Sequence, residues 1–364
     1  MKYVCSKCGH QEEVTTRKAK CDCGGLWKLE YELPPFRLSD VDTDTWSIFR
    51  YRKFMPPEGD TWKAITMGEG MTPVVRLDED VLLKMDYYMP TLSFKDRGAA
   101  VLVAHCLAIG VEQVVQDSSG NAGNSVAAYC GKAGIRCDIY VPEGTSPKKI
   151  TMIESHGAAA HVIPGNREAC ANACRARVDQ EGIFYASHVY NPFFYEGTKT
   201  YIYEVYEQLH RIPEHIFIPL GNGTLFIGAV KALEHLVESG VIDRMPHIVA
   251  VQSERCDPFA EAAARKESRP AKVVSVPTLA EGIAIGEPMR GEEILDMIYR
   301  HQADVITAPE EEILPAREAL ARKGIFCEHT TAATYAAYLA YCRKHGRTQD
   351  ALLPMCGAGL KSEH

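Results

Sequence analysis

The sequence of 364 residues lacks any long hydrophobic run. Its longest apolar stretch, near 99–109, is interrupted by His105 and is too short to span a bilayer. It also lacks an excess of positive charge, because 40 Lys and Arg residues against 48 Asp and Glu residues give a formal net charge of −8. These two absences argue against a membrane and against nucleic acid as partners.

The first five residues contain no apolar segment of the kind found in signal peptides. Thirteen cysteines are an odd number and are scattered, which is typical of a reducing compartment and not of a disulfide framework. We therefore expect a cytoplasmic protein. A chain of this length, with 46% hydrophobic and 24% charged residues, is typical of a soluble globular protein with two domains.

Residues 1–30 contain two close cysteine pairs, each beside a glycine. The pairs are Cys5 with Cys8 and Cys21 with Cys23. Four thiolates suit one tetrahedral ion. A segment this small buries little apolar area, so it needs a metal ion or a similar cross-link to stabilise its fold. We predict a structural Zn²⁺ site in a ribbon, in which His10 could replace Cys21 or Cys23. The alternative is four free surface thiols.

From 81 to 187 the sequence alternates between strand-like and helix-like segments. Strands are predicted near 81–87, 113–118, 136–141, 160–163 and 183–186, and helices near 97–109, 121–133, 146–156 and 166–180. Such alternation produces βαβ units and a parallel sheet. The sequence therefore predicts an α/β fold.

Lys95 lies in the segment Ser93–Gly98, between a strand-like run and a helix-like run. A desolvated lysine near a helix start and other cations has its charged form disfavoured, and its free amine can attack a carbonyl carbon. Lys95 is therefore a candidate for a Schiff-base lysine. The alternative is a solvated lysine at the start of an ordinary helix.

Two glycine-bearing turns each follow a strand-like segment and precede a helix. The first comprises Ser118, Ser119, Gly120 and Asn121, and the second comprises Gly221, Asn222, Gly223 and Thr224. Exposed N–H groups at a helix start bind phosphate or carboxylate. The second turn has neither the Gly-Lys-Ser/Thr of a Walker loop nor the spacing of the dinucleotide fingerprint. The alternative for the first turn is a plain helix N-cap.

The order of these three turns resembles the fold-type II enzymes that use pyridoxal 5′-phosphate (PLP), the group of the tryptophan synthase β chain. Over nearly the whole chain the sequence is most similar to the threonine synthase family. Further matching segments are 68–73, 191–192, 197–200, 285–288 and 357–361. The resemblance implies two open parallel-sheet domains plus a small N-terminal zinc ribbon. It implies a ribbon at 1–30, a large PLP-binding domain at 31–95 and 206–364, and a small α/β domain at 96–205.

The resemblance also implies roles for individual residues. Lys95 would hold PLP as a Schiff base and then act as the base that removes the Cα proton. The cofactor would further contact Asn121, Gly221, Asn222, Gly223, Thr224 and Cys356. The substrate would contact Ser118, Ser119, Gly120 and Lys199. Lys199 could as well be solvated, and Cys356 could be a buried small hydrophobe.

The sequence departs from the family pattern at the places where an arginine is usual. Phe194 and Ala284 stand at these two positions. An arginine there would clamp a substrate phosphate, because bidentate arginine is the fitting partner for a phosphate. In addition, Ala122 follows the Ser-Gly-Asn turn and Cys356 replaces the usual threonine, a combination that is more like serine dehydratase.

From the resemblance we expect a PLP-dependent lyase that acts on a small L-amino acid by elimination or replacement at Cβ or Cγ. The family's own reaction converts O-phospho-L-homoserine and water to L-threonine and phosphate. Alternatives on the same scaffold are a serine/threonine dehydratase, a β-replacement synthase and an amino-ketone thiolase. A catalytically inactive PLP-fold interaction protein is the alternative from another class. Family members are commonly homodimers, so we expect a homodimer.

Overall fold

A computed structural model describes residues 1–56 and 59–361. The strands are β1 (Lys2–Cys5), β2 (Gln11–Glu12), β3 (Trp27–Glu30), β4 (Val74–Arg76), β5 (Val81–Lys84), β6 (Gln113–Gln116), β7 (Arg136–Pro142), β8 (Ala159–Ile163), β9 (Phe184–Tyr185), β10 (His215–Pro219), β11 (His247–Ser253), β12 (Asp304–Ala308) and β13 (Ala351–Pro354). The helices are α1 (Trp62–Ile65), α2 (Lys95–Ala108), α3 (Asn121–Ala133), α4 (Pro147–Glu154), α5 (Arg167–Glu181), α6 (Phe193–Thr198), α7 (Thr200–Leu209), α8 (Thr224–Glu238), α9 (Pro258–Ala264), α10 (Gly291–Arg300), α11 (Glu310–Arg322) and α12 (His329–His345). Among these described helices, none combines the length and the apolar character needed to cross a membrane.

The chain forms two compact units, each built from several segments. The first unit comprises Met1–Pro34, Asp40–Glu69 and Lys95–Thr198, and the second comprises Pro35–Ser39, Gly70–Phe94 and Lys199–His364. The division into 1–30, 31–95 with 206–364, and 96–205 stays a prediction. The units of the structure differ from it in placing Asp40–Glu69 with the segment that begins at Lys95.

The first unit contains a four-stranded sheet in the order β8-β7-β6-β9, and all of its pairings are parallel. Helices α3 and α5 each connect one strand to the next strand in the chain, as βαβ units require. Cys174 and Val178 of α5 pack with Val115 and Tyr140 of the sheet in an apolar core. The predicted parallel sheet is confirmed for the strands near 113–118, 136–141, 160–163 and 183–186. The strand predicted near 81–87 corresponds to β5, which belongs to the other sheet.

The N-terminal strands of the first unit form a separate antiparallel sheet in the order β2-β1-β3. Tyr3 of β1 is buried, stacks on Trp27 with ring centroids 5.8 Å apart, and meets the edge of Phe193 at 6.1 Å. The small N-terminal sheet is therefore held to the rest of its unit by aromatic packing.

The second unit contains a six-stranded sheet in the order β12-β11-β10-β13-β5-β4. Its pairings are parallel except for β4, which runs antiparallel to β5. All four residues of β13 are buried, as expected for a strand covered on both faces. Helix α12 packs on this sheet, where Tyr338 meets the edge of Phe217 with ring centroids 5.2 Å apart.

Two helical regions differ from the sequence-based expectation. The sequence from 197 to 209 predicts a single helix, but the structure divides this segment between α6 and α7, with Lys199 between them. Helix α12 was not predicted, because every residue from His329 to Tyr338 is buried. A helix that is buried on all sides has no polar face, and so its sequence lacks the helical alternation that a prediction needs.

Candidate active site

Lys95 is the first residue of α2, a helix that is buried from Asp96 to Cys106. Lys95 itself is half-buried, and its Nζ lies 5.8 Å from the centroid of the Phe194 ring. The amine is therefore held beside an aromatic face at a buried helix start. Its role as a Schiff-base lysine stays a prediction.

Two glycines allow α2 and α6 to approach closely enough to place that ring. A Cβ atom at Gly98 would lie 2.2 Å from ring atoms of Phe194, and a Cβ atom at Gly197 would lie 2.0 Å from the carbonyl oxygen of Arg97. Neither contact leaves room for a side chain, so both positions require glycine. Phe194, one of the two residues at the usual arginine positions, is fully buried and fixed beside Lys95.

The turn at Ser118–Asn121 leads into α3. Gly120 occupies the N-cap position and no side chain caps this helix start. The Gly120 amide donates to Ser118 Oγ at 3.3 Å, and a Cβ atom at Gly123 would lie 1.8 Å from the Ser118 carbonyl oxygen. The turn is tight, and its uncapped helix start can bind an anion.

A hydrogen bond connects the starts of α2 and α3 inside the first unit. Ser125 Oγ of α3 donates to Asp96 Oδ1 at 2.5 Å, and both side chains are fully buried. The residue after Lys95 is thereby fixed to the helix that begins at Asn121. The first unit thus brings together two of the predicted site segments.

In the second unit, the loop between β10 and α8 carries the predicted glycines. Gly223 has φ +78° at the N-cap of α8, again without a side-chain cap. A Cβ atom at Gly221 would lie 2.9 Å from Ile283 Cα, and one at Gly223 would lie 2.4 Å from Ile294 Cδ1. The loop backbone is closely covered, and the helix start beyond it offers N–H groups to a phosphate. These features fit the phosphate group of PLP.

Cys356 follows β13 in the second unit and is 1% exposed. Its carbonyl oxygen accepts a hydrogen bond of 2.9 Å from the amide of Phe94, the residue before Lys95 in the chain. Ser93, one residue earlier, has a fully buried hydroxyl with no hydrogen-bond partner among the described residues. An orphaned hydroxyl at this position is consistent with a site that binds a polar group.

Lys199 is also in the second unit, immediately before α7. It is 1% exposed. The interpretation of Lys199 as a solvated lysine is therefore wrong. Its contact with a substrate stays a prediction.

The segment Gly70–Pro73 is fixed by a buried ion pair that the sequence analysis missed. Lys84 Nζ lies 2.7 Å from Glu204 Oε2, and both side chains are fully buried. Lys84 also donates to the Thr72 carbonyl oxygen, and Glu204 Oε1 accepts from the Met71 amide at 2.9 Å. Met71 has φ +52°, a strained value for a residue with a side chain, and this network holds it there.

Three further polar residues near the first-unit turns were missed by sequence reasoning. Gln116, Asn124 and His188 are buried and have side-chain atoms without hydrogen-bond partners among residues 1–56 and 59–361. No motif marks them. They could have been suspected because they follow or end predicted strands, or begin a predicted helix, at one edge of a parallel sheet.

The four N-terminal cysteines do come together. Their sulfur atoms all lie within 4.8 Å of one another. The Sγ atoms of Cys5 and Cys23 are 3.4 Å apart, and those of Cys8 and Cys21 are 3.7 Å apart. Zn–S bonds of about 2.3 Å in a tetrahedron imply S–S distances of about 3.8 Å. The donor set therefore fits one zinc ion.

The turns around these cysteines need glycine. Gly9 and Gly24 have φ +71° and +81°, and a Cβ atom at Gly25 would lie 2.4 Å from Cys5 Sγ. His10 is not part of the sulfur cluster, and its Nε2 lies 3.4 Å from Glu12 Oε1. The four cysteines thus provide a complete set of four ligands without His10.

Comparisons with known proteins find a matching family model and similar sequences. A family model described as pyridoxal-phosphate dependent enzyme matches residues 65–357. The threonine synthase of Methanocaldococcus jannaschii is 30% identical over 347 residues, which cover 91% of this chain and 85% of that protein. The threonine synthase of Mycobacterium leprae is 32% identical over 302 residues, which cover 80% and 81%.

Solved structures with similar folds come from several PLP enzymes. The processed form of threonine deaminase isoform 2 from Solanum lycopersicum has a TM-score of 0.72 at 20% identity and covers 90% of this chain and 88% of its own. Maize serine racemase has a TM-score of 0.70 at 18% identity and covers 84% and 93%. At these identities the likeness concerns the fold and not the reaction.

Proposed function

The chain belongs to the family of pyridoxal-phosphate-dependent enzymes and its relatives include threonine synthases, and from this premise we propose that it carries out elimination or replacement on a small L-amino acid at Lys95. The sequence-based predictions of the family, of PLP as cofactor and of the fold-type II architecture are confirmed. The reaction proposed first is that of the relatives, in which O-phospho-L-homoserine and water give L-threonine and phosphate.

The observation that carries the proposal is the position of Lys95 at a buried helix start beside the Phe194 ring. There the amine would hold PLP and, once released, would accept the proton from the substrate Cα. When bound, PLP supplies an electron sink for the carbanion. The start of α8 would hold the cofactor phosphate, and the start of α3 would hold the substrate carboxylate.

Cys356 is proposed to face the pyridine nitrogen of the cofactor. A thiol at this position would not supply the negative charge that a carboxylate would, and so it would not hold a proton on that nitrogen. This supports elimination and replacement over transamination.

The test of the first reaction is phosphate release from O-phospho-L-homoserine. We expect inorganic phosphate and L-threonine in equal amounts from the PLP-loaded protein, with Lys95→Ala as the blank. Equal amounts would mean that a cation of this chain does the work of the two usual arginines. Absence of phosphate release from protein that retains its lysine-bound cofactor would rule this reaction out.

A second candidate function is elimination from L-serine or L-threonine. Phe194 favours it, because an apolar ring beside Lys95 offers no charge to a substrate phosphate. The products would be ammonia and a 2-oxo acid, measured by coupled assays on the same preparation. A β-replacement synthase, an amino-ketone thiolase and an inactive interaction protein are the remaining alternatives.

We propose that the four N-terminal cysteines bind a structural zinc ion. The short β-strands around them bury little area by themselves, and the ion would fix Tyr3 in its aromatic contacts with the rest of the first unit. The cytoplasmic location and the homodimer likewise stay predictions.

Replacement of Cys5 and Cys8 by serine is expected to remove about one equivalent of zinc per chain, because two ligands of four are lost. We also expect a lower thermal midpoint, since metal binding contributes to folding. Plasma emission spectroscopy and thermal unfolding measure the two effects. The matched control is Cys342→Ser on α12, outside the cluster, which should keep its zinc. Unchanged zinc in the double variant would contradict the ribbon assignment.

A further inference from the structure

Three buried polar side chains at one edge of the first-unit sheet have unsatisfied atoms. Both amide atoms of Gln116, Oδ1 of Asn124 and Nδ1 of His188 lack hydrogen-bond partners within the described chain. Gln116 is fully buried, and Asn124 and His188 are each 6% exposed. A buried polar group without a partner carries a desolvation penalty that no hydrogen bond offsets. Three of them in one region indicate a polar ligand that completes their hydrogen bonds.

All three belong to the carboxyl edge of the parallel sheet. Strand β6 ends at Gln116. Just beyond the end of its neighbour β9, the Ala186 amide donates to the Val115 carbonyl oxygen at 2.9 Å. His188 follows two residues later, and Asn124 lies in the first turn of α3. Ligands of α/β proteins bind at the carboxyl ends of the strands. The orphaned atoms therefore lie where a substrate is expected.

His188 is connected to Lys95 through the Phe194 ring. The imidazole meets that ring edge-on with centroids 5.9 Å apart, and Lys95 Nζ lies 5.8 Å from the centroid of the same ring. Burial, together with the positive charges of Lys95 and Arg167, lowers the pKa of His188 well below its usual value. The imidazole is therefore neutral at pH 7, with one nitrogen that donates and one that accepts.

We propose that His188 is a specificity-determining residue, whose Nδ1 forms a hydrogen bond with an uncharged oxygen on the side chain of the substrate. This inference rests on the proposed function, because it requires an amino-acid substrate that reacts at Lys95. The start of α3 suits the substrate carboxylate, which leaves the imidazole for the side chain. A neutral imidazole matches a hydroxyl oxygen better than a phosphate. The substrate class is an amino acid with a hydroxyl on Cβ, probed with L-serine and L-threonine.

Two substitutions separate the hydrogen bond from the packing of the ring. His188→Phe keeps an aromatic ring and removes Nδ1, whereas His188→Asn places an amide atom near the position of Nδ1. We expect the Phe variant to lose roughly tenfold to a hundredfold in kcat/KM for L-serine or L-threonine, and the Asn variant to retain most of it.

The matched control is His105→Phe, a second buried histidine of the same unit. The His105 ring stacks on the Phe193 ring with centroids 3.7 Å apart, and His105 Nε2 lies 3.4 Å from the Tyr3 hydroxyl oxygen. We expect this change to lower stability without changing substrate preference. An equal loss of kcat/KM in both Phe variants would reduce His188 to a packing residue and overturn the proposal.

A second readout does not need turnover. In Lys95→Ala protein with ¹⁵N-labelled histidine, the Nδ1 resonance of His188, assigned by its disappearance in His188→Asn, is followed as L-serine or L-threonine is added. We expect the resonance to shift with these amino acids and to shift less with L-alanine, which lacks the hydroxyl. This NMR measurement can still be made if His188→Phe does not fold.

The outcomes distinguish this inference from the proposed function. A shifted resonance without formation of ammonia and a 2-oxo acid from L-serine or L-threonine in unmodified protein would support the contact of His188 and reject elimination from these amino acids. If product forms with the same kcat/KM in the His188 variants and the Nδ1 resonance does not shift, the reaction is supported and the inference is overturned. A resonance that moves equally with L-alanine would also overturn it, because the hydroxyl would then not be the group that is bound.

Discussion

Lys95→Ala protein is expected to lose both the visible absorbance of lysine-bound PLP and its catalytic activity. The amine is the group that links the cofactor to the chain and the base at the substrate Cα. Loss of the proton transfer alone costs roughly 10²- to 10⁴-fold in rate. The absorbance spectrum of the PLP-loaded protein and the initial rates of phosphate, ammonia and 2-oxo acid release measure the two effects.

Two further lysine variants test whether the missing amine causes the loss of absorbance and activity. Lys95→Arg keeps a positive charge over the Phe194 ring but provides no free amine, so we expect it to behave like the alanine variant. Lys132→Ala removes an exposed lysine from the last turn of α3 and should leave spectrum and rates unchanged. A lysine-bound spectrum that persists in Lys95→Ala would place the link at another lysine.

Lys95 and the two glycine turns could be predicted because their chemistry requires particular residue types in consecutive positions. These are local properties of the chain: a reactive amine, a helix start with free N–H groups, and a turn too tight to hold a Cβ atom. The parallel sheet of the first unit could be predicted as well, since strand-like and helix-like segments alternate along its sequence. Local sequence therefore contains most of the framework around the candidate site.

The sequence places Gln116 and His188 at the ends of predicted strands, but it does not predict that they are buried without partners. It does not predict the ion pair of Lys84 with Glu204 either, because these properties depend on distant parts of the chain. Lys84 and Glu204 are 120 residues apart in sequence. Nothing near Lys84 in the sequence distinguishes it from a surface lysine at the end of a strand. Burial of a charged or polar group becomes evident only when the packed neighbours are known.

The Lys84–Glu204 pair leads to the largest stability effect that we expect. Lys84→Met should lower the free energy of unfolding by about 3–5 kcal/mol, because Glu204 would remain buried without its cation. The network also holds Met71 at φ +52°, so its loss would release that strained turn. Urea unfolding followed by circular dichroism measures the change.

A double variant and a surface pair test this explanation. Lys84→Met combined with Glu204→Gln removes the uncompensated charge but keeps an acceptor for the Met71 amide, so we expect it to recover most of the lost stability. Lys63→Met breaks the exposed pair of Lys63 with Asp60, whose Nζ–Oδ2 distance is 2.8 Å, and should change stability by no more than about 1 kcal/mol. If the double variant were as unstable as Lys84→Met, the lost stability would come from packing around the lysine stem and not from the unpaired carboxylate of Glu204.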